Sequence, residues 1–245
     1  MKTSKQQQEK TKIKIIETAI NLFILKGFEK TTMREIAREA TIGDATIYNY
    51  FSTKERIIWG YIELRQIQAI KNINDIADFN NYSLQEKIHI YFETILDGYL
   101  PDREFLPIAF KMTHQSFLTH SPDIKAINAL FIDQIKLFLI DAIEKQEIPE
   151  QPIDTIIPHI ILDLYFIVIL YWTKDSSDKF NQTTQLIDLI LNILMGVLKQ
   201  GLISKVVDLG SFLFRHHLFT QIDSLFKDNP LNTIRSELGK FVNDK

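Results

Sequence analysis

With 245 residues, 45% of them apolar and 24% charged, the chain has room for one large domain or for a small one joined to a larger, and is too apolar to be disordered. It has no cysteine, which excludes disulfides, cysteine-ligated zinc and a thiol nucleophile and fits a reducing, cytoplasmic setting; the opening MKTSKQQQEK lacks an apolar signal core, so export is not expected. The net charge of −3 is unevenly spread: residues 1–60 hold 11 Lys/Arg against 7 Asp/Glu (+4) and the remainder 17 against 24 (−7), so only the first end suits a polyanion.

Glycine and proline are scarce, eight and seven, and period-two alternation is rare, so the chain reads as all-α. Ile13, Ile16, Ala19, Ile20 and Phe23 recur at helical spacing and predict a helix over 7–26, stopped by Gly27. Thr32 and Glu35 fit a capping box for a second helix over 33–40, with Ile36, Ala37 and Ala40 as its buried stripe. A turn, Thr41-Ile42-Gly43, leads to a short helix over 44–50, in which Gly43 permits a tight backbone and Ile42 and Ile47 plug the core. Ser52 and Glu55 fit a second capping box, opening a helix from Thr53 to Asn74. A polar linker, 75–82, precedes helices expected at 83–99, 104–119, 122–146, 153–174, 179–200, 202–226 and 231–242.

Helix, three-residue turn, short helix is the spacing of a helix-turn-helix. The residues left outside the buried faces suit a DNA duplex. Asn49 can bond adenine, Thr46 and Ala45 can meet a thymine methyl, and Tyr48, Tyr50 and Lys54 can reach phosphates. A helix this short suffices for a major groove about 12 Å wide.

The stretch TTMREIAREATIGDATIYNYFSTKERII resembles the signature of the tetracycline-repressor (TetR/AcrR) family of bacterial regulators, over residues 10 to about 60. The resemblance implies a three-helix DNA-binding domain whose fourth helix joins it to a helical ligand-binding and dimerisation domain. By position, Thr32 and Lys54 would hold phosphates and Arg34 would reach a base. Asp44, Ala45, Thr46, Tyr48, Asn49 and Tyr50 would occupy the recognition helix. Gly43 stands where the family often has serine. Asp44 stands where a basic or neutral residue is usual, and either caps the short helix or accepts from a cytosine amino group. Arg34 has a plainer alternative as a solvated cation, since Arg38 one turn on gives it no ion pair; for Tyr50 the alternative is packing beneath the helix.

In the second part, residues 182–200 are apolar almost all round, with Gln185, Asp188, Asn192, Gly196 and Lys199 as one narrow polar stripe. Such a helix is buried on more than one side. Paired with 153–174, it predicts a two-fold, four-helix dimer interface through Ile160, Leu164, Leu186, Ile190, Ile193, Leu194 and Val197; a central helix of a monomer is the alternative. The window 156–172 holds Pro158, His159 and Asp163 and falls short of the roughly 20 clean apolar residues of a membrane span, so no membrane partner is expected. Aromatics of the middle helices could line a pocket for a small apolar or aromatic molecule, with Phe92, Phe110, His114, Phe117, Tyr165 and Trp172 as candidates. His159 and Asp163 share a face and read as a satisfied buried pair rather than a metal site; no metal or cofactor is expected. Phe212, Phe214, Leu218, Phe219, Ile222 and Phe226 predict extra helices packed on the second domain, and Arg215-His216-His217 a solvated helical turn.

The expectation is therefore an all-α protein: a helix-turn-helix domain over 1–56, a ligand-binding and dimerisation domain over 57–200, and additional helices over 201–245. It would be a dimeric, effector-released repressor of a palindromic operator. An interaction module that has lost DNA binding is the runner-up. An all-α enzyme is less supported, since phosphate-loop, His-Glu-x-x-His and Gly-x-Ser-x-Gly motifs are absent from the sequence.

Overall fold

The computed structural model describes residues 4–109, 122–150, 156–202 and 205. Residues 1–200 form one compact unit and 201–245 a second. The helices expected at 202–226 and 231–242, and the aromatic and histidine residues noted there, lie outside the described residues.

The described part of the first unit is helical. Helix α1, Lys5–Lys26, is capped by Ser4, and ends where Gly27 takes φ 86° and donates its N–H to the Phe23 carbonyl. The left-handed backbone there is one that glycine adopts without a Cβ clash. Ile15 rather than Ile13 completes the buried face with Ile16, Ala19, Ile20 and Phe23. Helix α2, Met33–Glu39, begins at Thr32, whose hydroxyl accepts from the Glu35 N–H at 3.2 Å. Only half of the expected capping box forms: the Glu35 carboxylate turns to Lys26, which holds its pKa below the ordinary carboxylate value.

In the turn that follows, the left-handed residue is Thr41 (φ 55°), while Gly43 is extended (φ −68°). The sharp bend thus falls two residues earlier than expected. Lys14 Nζ donates to the Thr41 hydroxyl at 2.5 Å and the Ile42 N–H to the Ala37 carbonyl at 3.0 Å, which offsets the strain of a β-branched residue there. Helix α3, Asp44–Tyr50, is anchored by fully buried Ile47. Helix α4, Lys54–Asn74, is capped by Thr53, accepting from the Arg56 N–H at 3.3 Å, rather than by Ser52. It runs unbroken past position 56. Gly60 lets it approach the preceding segment closely, since a Cβ there would lie 2.8 Å from the Phe51 ring.

The interval 75–82 is less polar in space than in sequence. It folds a 3-10 turn, Phe79–Asn81, whose Phe79 is buried edge-on to Phe138. Helix α5, Leu84–Tyr99, starts at a complete Ser83/Glu86 capping box. A 3-10 segment, Leu100–Phe105, stands where the next helix was expected to begin, and residues 106–109 are helical. Helix α6 is Pro122–Glu144, α7 Ile157–Trp172 and α8 Asn181–Lys199. The loop into α8 is organised by Asp175, whose carboxylate accepts from Ser177 N–H, Thr183 N–H and the Thr183 hydroxyl at 2.8, 2.9 and 2.6 Å. Burial would raise this carboxyl, but those donors outweigh it and hold it at about 2.

The core continues from the first three helices into the rest of the unit. Phe23 stacks on Phe105 at 5.7 Å and Tyr61 meets the same ring edge-on at 5.9 Å. Beside them the Tyr61 hydroxyl and Arg65 both donate to Asp102, at 3.0 and 2.7 Å. No described helix is long and apolar enough to cross a membrane.

Helices α5 and α8 are tied by His89, which lies 3.1 Å from Glu93 and 3.2 Å from Asp188. The hydrogen bond to Glu93 outweighs burial and raises the imidazole pKa, with Asp188 adding to it. A pKa raised by folding contributes stability that is present below the unfolded value, about 6.5, and lost as pH climbs through the folded one. The melting temperature of the wild type is therefore expected to fall more between pH 6 and 8 than that of His89→Gln. Parallel pH profiles of the two proteins would refute this role for His89.

Candidate nucleic-acid interface and effector cavity

Helices α2 and α3 meet across the Thr41 turn and present a continuous outer surface. Thr32, Arg34, Asp44, Ala45, Tyr48 and Asn49 are exposed; Thr46 and Tyr50 are half-buried. Tyr48 is 53% exposed, unusual for so large a side chain with an apolar ring. Seven residues at about 1.5 Å each make α3 roughly 10 Å long, short enough to sit across a major groove. Thr46 is pinned by its N–H to the Gly43 carbonyl at 2.8 Å.

Two candidate residues have partners that the sequence did not suggest. Arg34 Nε lies 3.8 Å from Asp44 Oδ2, a partner reached across the turn and not along its own helix. Both groups are exposed, and such a pair contributes little to stability, about 0–1 kcal/mol at most. Asp44 makes no capping hydrogen bond: it occupies the first turn of α3 with Gly43 as the cap residue, and suits the helix dipole there by charge alone. Lys54 Nζ donates to the Phe28 carbonyl at 2.6 Å and sits 4.3 Å over the Phe28 ring. That ties the start of α4 to the end of the α1 loop, and a phosphate would have to compete with it.

The second half holds a cavity of about 30 Å³ between α4, α5, α6 and α7. Of the pocket candidates, Tyr165 lines it; Phe92 packs behind, 5.5 Å from the Tyr165 ring. Trp172 is placed elsewhere, against Phe180, with Arg103 over its ring and on its carbonyl. Phe110, His114 and Phe117 lie outside the described residues. Sequence reasoning missed Gln66, Tyr99 and Asn128, the polar members of the lining. A signal for Gln66 existed: it is the one polar residue in the row Ile62, Gln66, Ala69, Ile73 along α4. His159 and Asp163 are both exposed, against the expectation that they would be buried.

On α7 and α8 an apolar surface faces outward. Ile160, Ile167 and Leu170 on α7, and Leu189 and Ile193 on α8, are exposed, the last at 70%. Leu164, Leu186, Ile190 and Val197 are half-buried along the same helices. Leu194, expected in a subunit interface, is 5% exposed and packs inside its own subunit.

A helix-turn-helix with an outward-facing recognition helix, joined by α4 to a helical body with an internal cavity, is the architecture of a bacterial one-component transcriptional regulator. Family models agree: residues 15–58 match that of the tetR family of bacterial regulatory proteins, and residues 87–213, just over half of the chain, match the tetracyclin repressor-like C-terminal domain. The chain belongs to the TetR family, a family of transcriptional regulators and not of enzymes. It is 25% identical over 159 residues to the uncharacterised regulator YfiR of Bacillus subtilis, covering 63% of this chain and 77% of that protein. It is 33% identical over 90 residues to IcaR of Staphylococcus aureus, a negative regulator of the biofilm operon icaADBC, covering 35% of this chain and 46% of that one. Across the curated relatives it matches, the chain spans from about a third to about three quarters of their length. Among solved structures it resembles FadR of Bacillus subtilis in complex with stearoyl-CoA, with a TM-score of 0.55 and 21% identity over 77% of this chain and 98% of that one.

Proposed function

We propose that the protein is a homodimeric repressor that binds a palindromic operator through Thr32, Arg34 and the exposed face of α3, and is released by a small apolar or aromatic effector held in the cavity. The observation that carries this reading is the exposure of Tyr48 and Asn49 on a helix whose opposite side is fixed by buried Ile47. An amide and a phenol held out on so small an element fit base edges and phosphates. The outward apolar surface of α7 and α8 supports pairing of two copies, and pairing supplies two recognition helices for one palindrome. The negative regulation named for IcaR supports repression, and the acyl-CoA held by FadR supports an effector with an apolar body.

The cavity between the described residues, about 30 Å³, is far smaller than the few hundred Å³ of an ordinary ligand pocket, so an effector of that size would push its walls apart. Leu106 lines the cavity and its neighbour Phe105 stacks on Phe23 of α1. Wall movement is thereby passed to the helices that carry α3. The effector weakens DNA binding by as much as it prefers the displaced arrangement.

The experiment is a gel shift on the promoter region of the encoding gene between 50 and 200 mM salt. Affinity is expected to fall by about 10³-fold or more, as phosphate contacts require. Tyr48→Ala with Asn49→Ala should cost at least tenfold at fixed salt and leave the subunit folded. A shift that ignores both salt and this double variant would remove DNA binding from the reading.

A further inference from the structure

The surface that carries Tyr48 and Asn49 also carries a charge that phosphates repel. Between α2 and the start of α3 lies an open groove whose charged lining is Arg34, Glu35, Arg38 and Asp44. The Glu35 carboxylate is turned to Lys26. Asp44 has its side chain 63% exposed and caps no helix N–H. A bare carboxylate on a face that meets a polyanion weakens binding unless the duplex offers it a donor. Phosphates offer none, whereas base edges in the major groove offer the amino groups of cytosine and adenine.

Asp44 does not stand alone. Arg34 Nε lies 3.8 Å from its Oδ2, longer than a hydrogen bond, so the contact uses up no donor or acceptor of either group. The guanidinium keeps its two Nη groups, a fork that fits paired acceptors, and the carboxylate keeps Oδ1. A pair this exposed stabilises the fold little, so both partners can turn to new ones at small cost. Together they offer a two-pronged donor beside an acceptor. The major-groove edge of a G·C base pair is the complement: guanine N7 and O6 accept, and cytosine N4 donates. O6 and N4 are hydrogen-bonded to each other, about 2.9 Å apart, so side chains held 3.8 Å apart can face them with slight convergence. An A·T pair in either orientation never presents two adjacent acceptors, and a reversed G·C pair sets guanine O6 against the carboxylate.

Given that α2 and α3 form the DNA-binding face, the reading on which this rests, we propose that Arg34 and Asp44 together read one G·C base pair in each half-site, Arg34 on guanine and Asp44 on cytosine. Asp44 is then a specificity residue. It penalises sequences that lack this cytosine, and so narrows the set of operators by repulsion as well as by attraction.

The test is selection by the full chain from a random duplex library, followed by titration of the best sequence and its variants at fixed salt. The wild type is expected to enrich a palindrome with G·C fixed at one equivalent position in each half. Exchanging that pair for A·T in both halves should weaken binding about 10²-fold, tenfold for each half. Arg34→Ala and Asp44→Ala should each shrink this penalty by about threefold or more, at that position and no other. Both variants should melt within about 4 °C of the wild type, because an exposed pair contributes little. Asp44→Ser, which keeps a polar group in the first turn of α3, takes the place of Asp44→Ala should that variant misfold by circular dichroism.

A pair that merely braces the Thr41 turn would give variants that lose affinity equally for every sequence, and that result overturns the proposal. So does a motif in which the two substitutions relax different positions, or none. A wild type that enriches no duplex removes DNA binding itself, and the role of this pair with it; a wild type that enriches a palindrome indifferent to both substitutions removes only the role of the pair.

Discussion

Leu189→Glu together with Ile193→Glu is expected to convert a dimer into monomers and to reduce operator affinity by about 10²–10⁴-fold, the gain that joining two binding modules ordinarily supplies. The two residues are 63% and 70% exposed in the isolated subunit, so their replacement leaves the subunit's own core untouched. In a paired state they would lie near the centre of an apolar seam with Ile167 and Leu170. Burying each such side chain stabilises by about 1.5–3 kcal/mol, and an unpaired carboxylate in its place costs several kcal/mol. Light scattering would read the mass and gel shift the affinity. A variant that stays dimeric at micromolar concentration, with native circular dichroism, would place the subunit contact elsewhere.

Phe23→Ala is expected to destabilise the protein by about 3–5 kcal/mol, the range for removing a buried aromatic ring. Phe23 is fully buried, 5.0 Å from Phe28 and 5.7 Å from Phe105, so no neighbour can fill the space without breaking a second contact. The loss would be read as a shift of the urea midpoint at unchanged slope. Because the ring lies between α1 and the Leu100–Phe105 segment, the variant should also uncouple effector from DNA: any protein that still binds operator should respond less to effector. A loss under about 1 kcal/mol would mean the ring is not part of the core that joins the two halves.

Local signals carried the first four helices. Gly27 and Thr32 act through their own backbone neighbours, and their roles were legible for that reason. Where two residues of similar chemistry stood side by side, the choice depended on backbone geometry that composition does not encode. Thr53 caps α4 in place of Ser52, and Thr41 rather than Gly43 takes the left-handed conformation. The exposed face of the candidate site was legible from the spacing of its residues, and its internal partners were not. Arg34 and Asp44 are ten positions apart and meet only because the Thr41 turn folds α3 back on α2. Lys54 finds the Phe28 carbonyl across 26 positions. The cavity was least legible. An aromatic stripe looks the same whether it fills a core or lines a void, and only the packing of α4 against α6 and α7 separates Tyr165, at the cavity, from Trp172, which is held by Arg103.

The unbroken length of α4 has a mechanical consequence. Its 21 residues make a rod about 30 Å long, with the cavity against its middle and the recognition segment near its first residue. A rod of that length pivoting by about 5° near Asn74 carries Lys54 sideways by roughly 2.5 Å. In a symmetric pair the displacements would add to about 5 Å, measured against a groove-to-groove repeat of about 34 Å. Under the proposed function, leverage of this kind would let an occupant of modest volume spoil the fit to duplex without unfolding any helix.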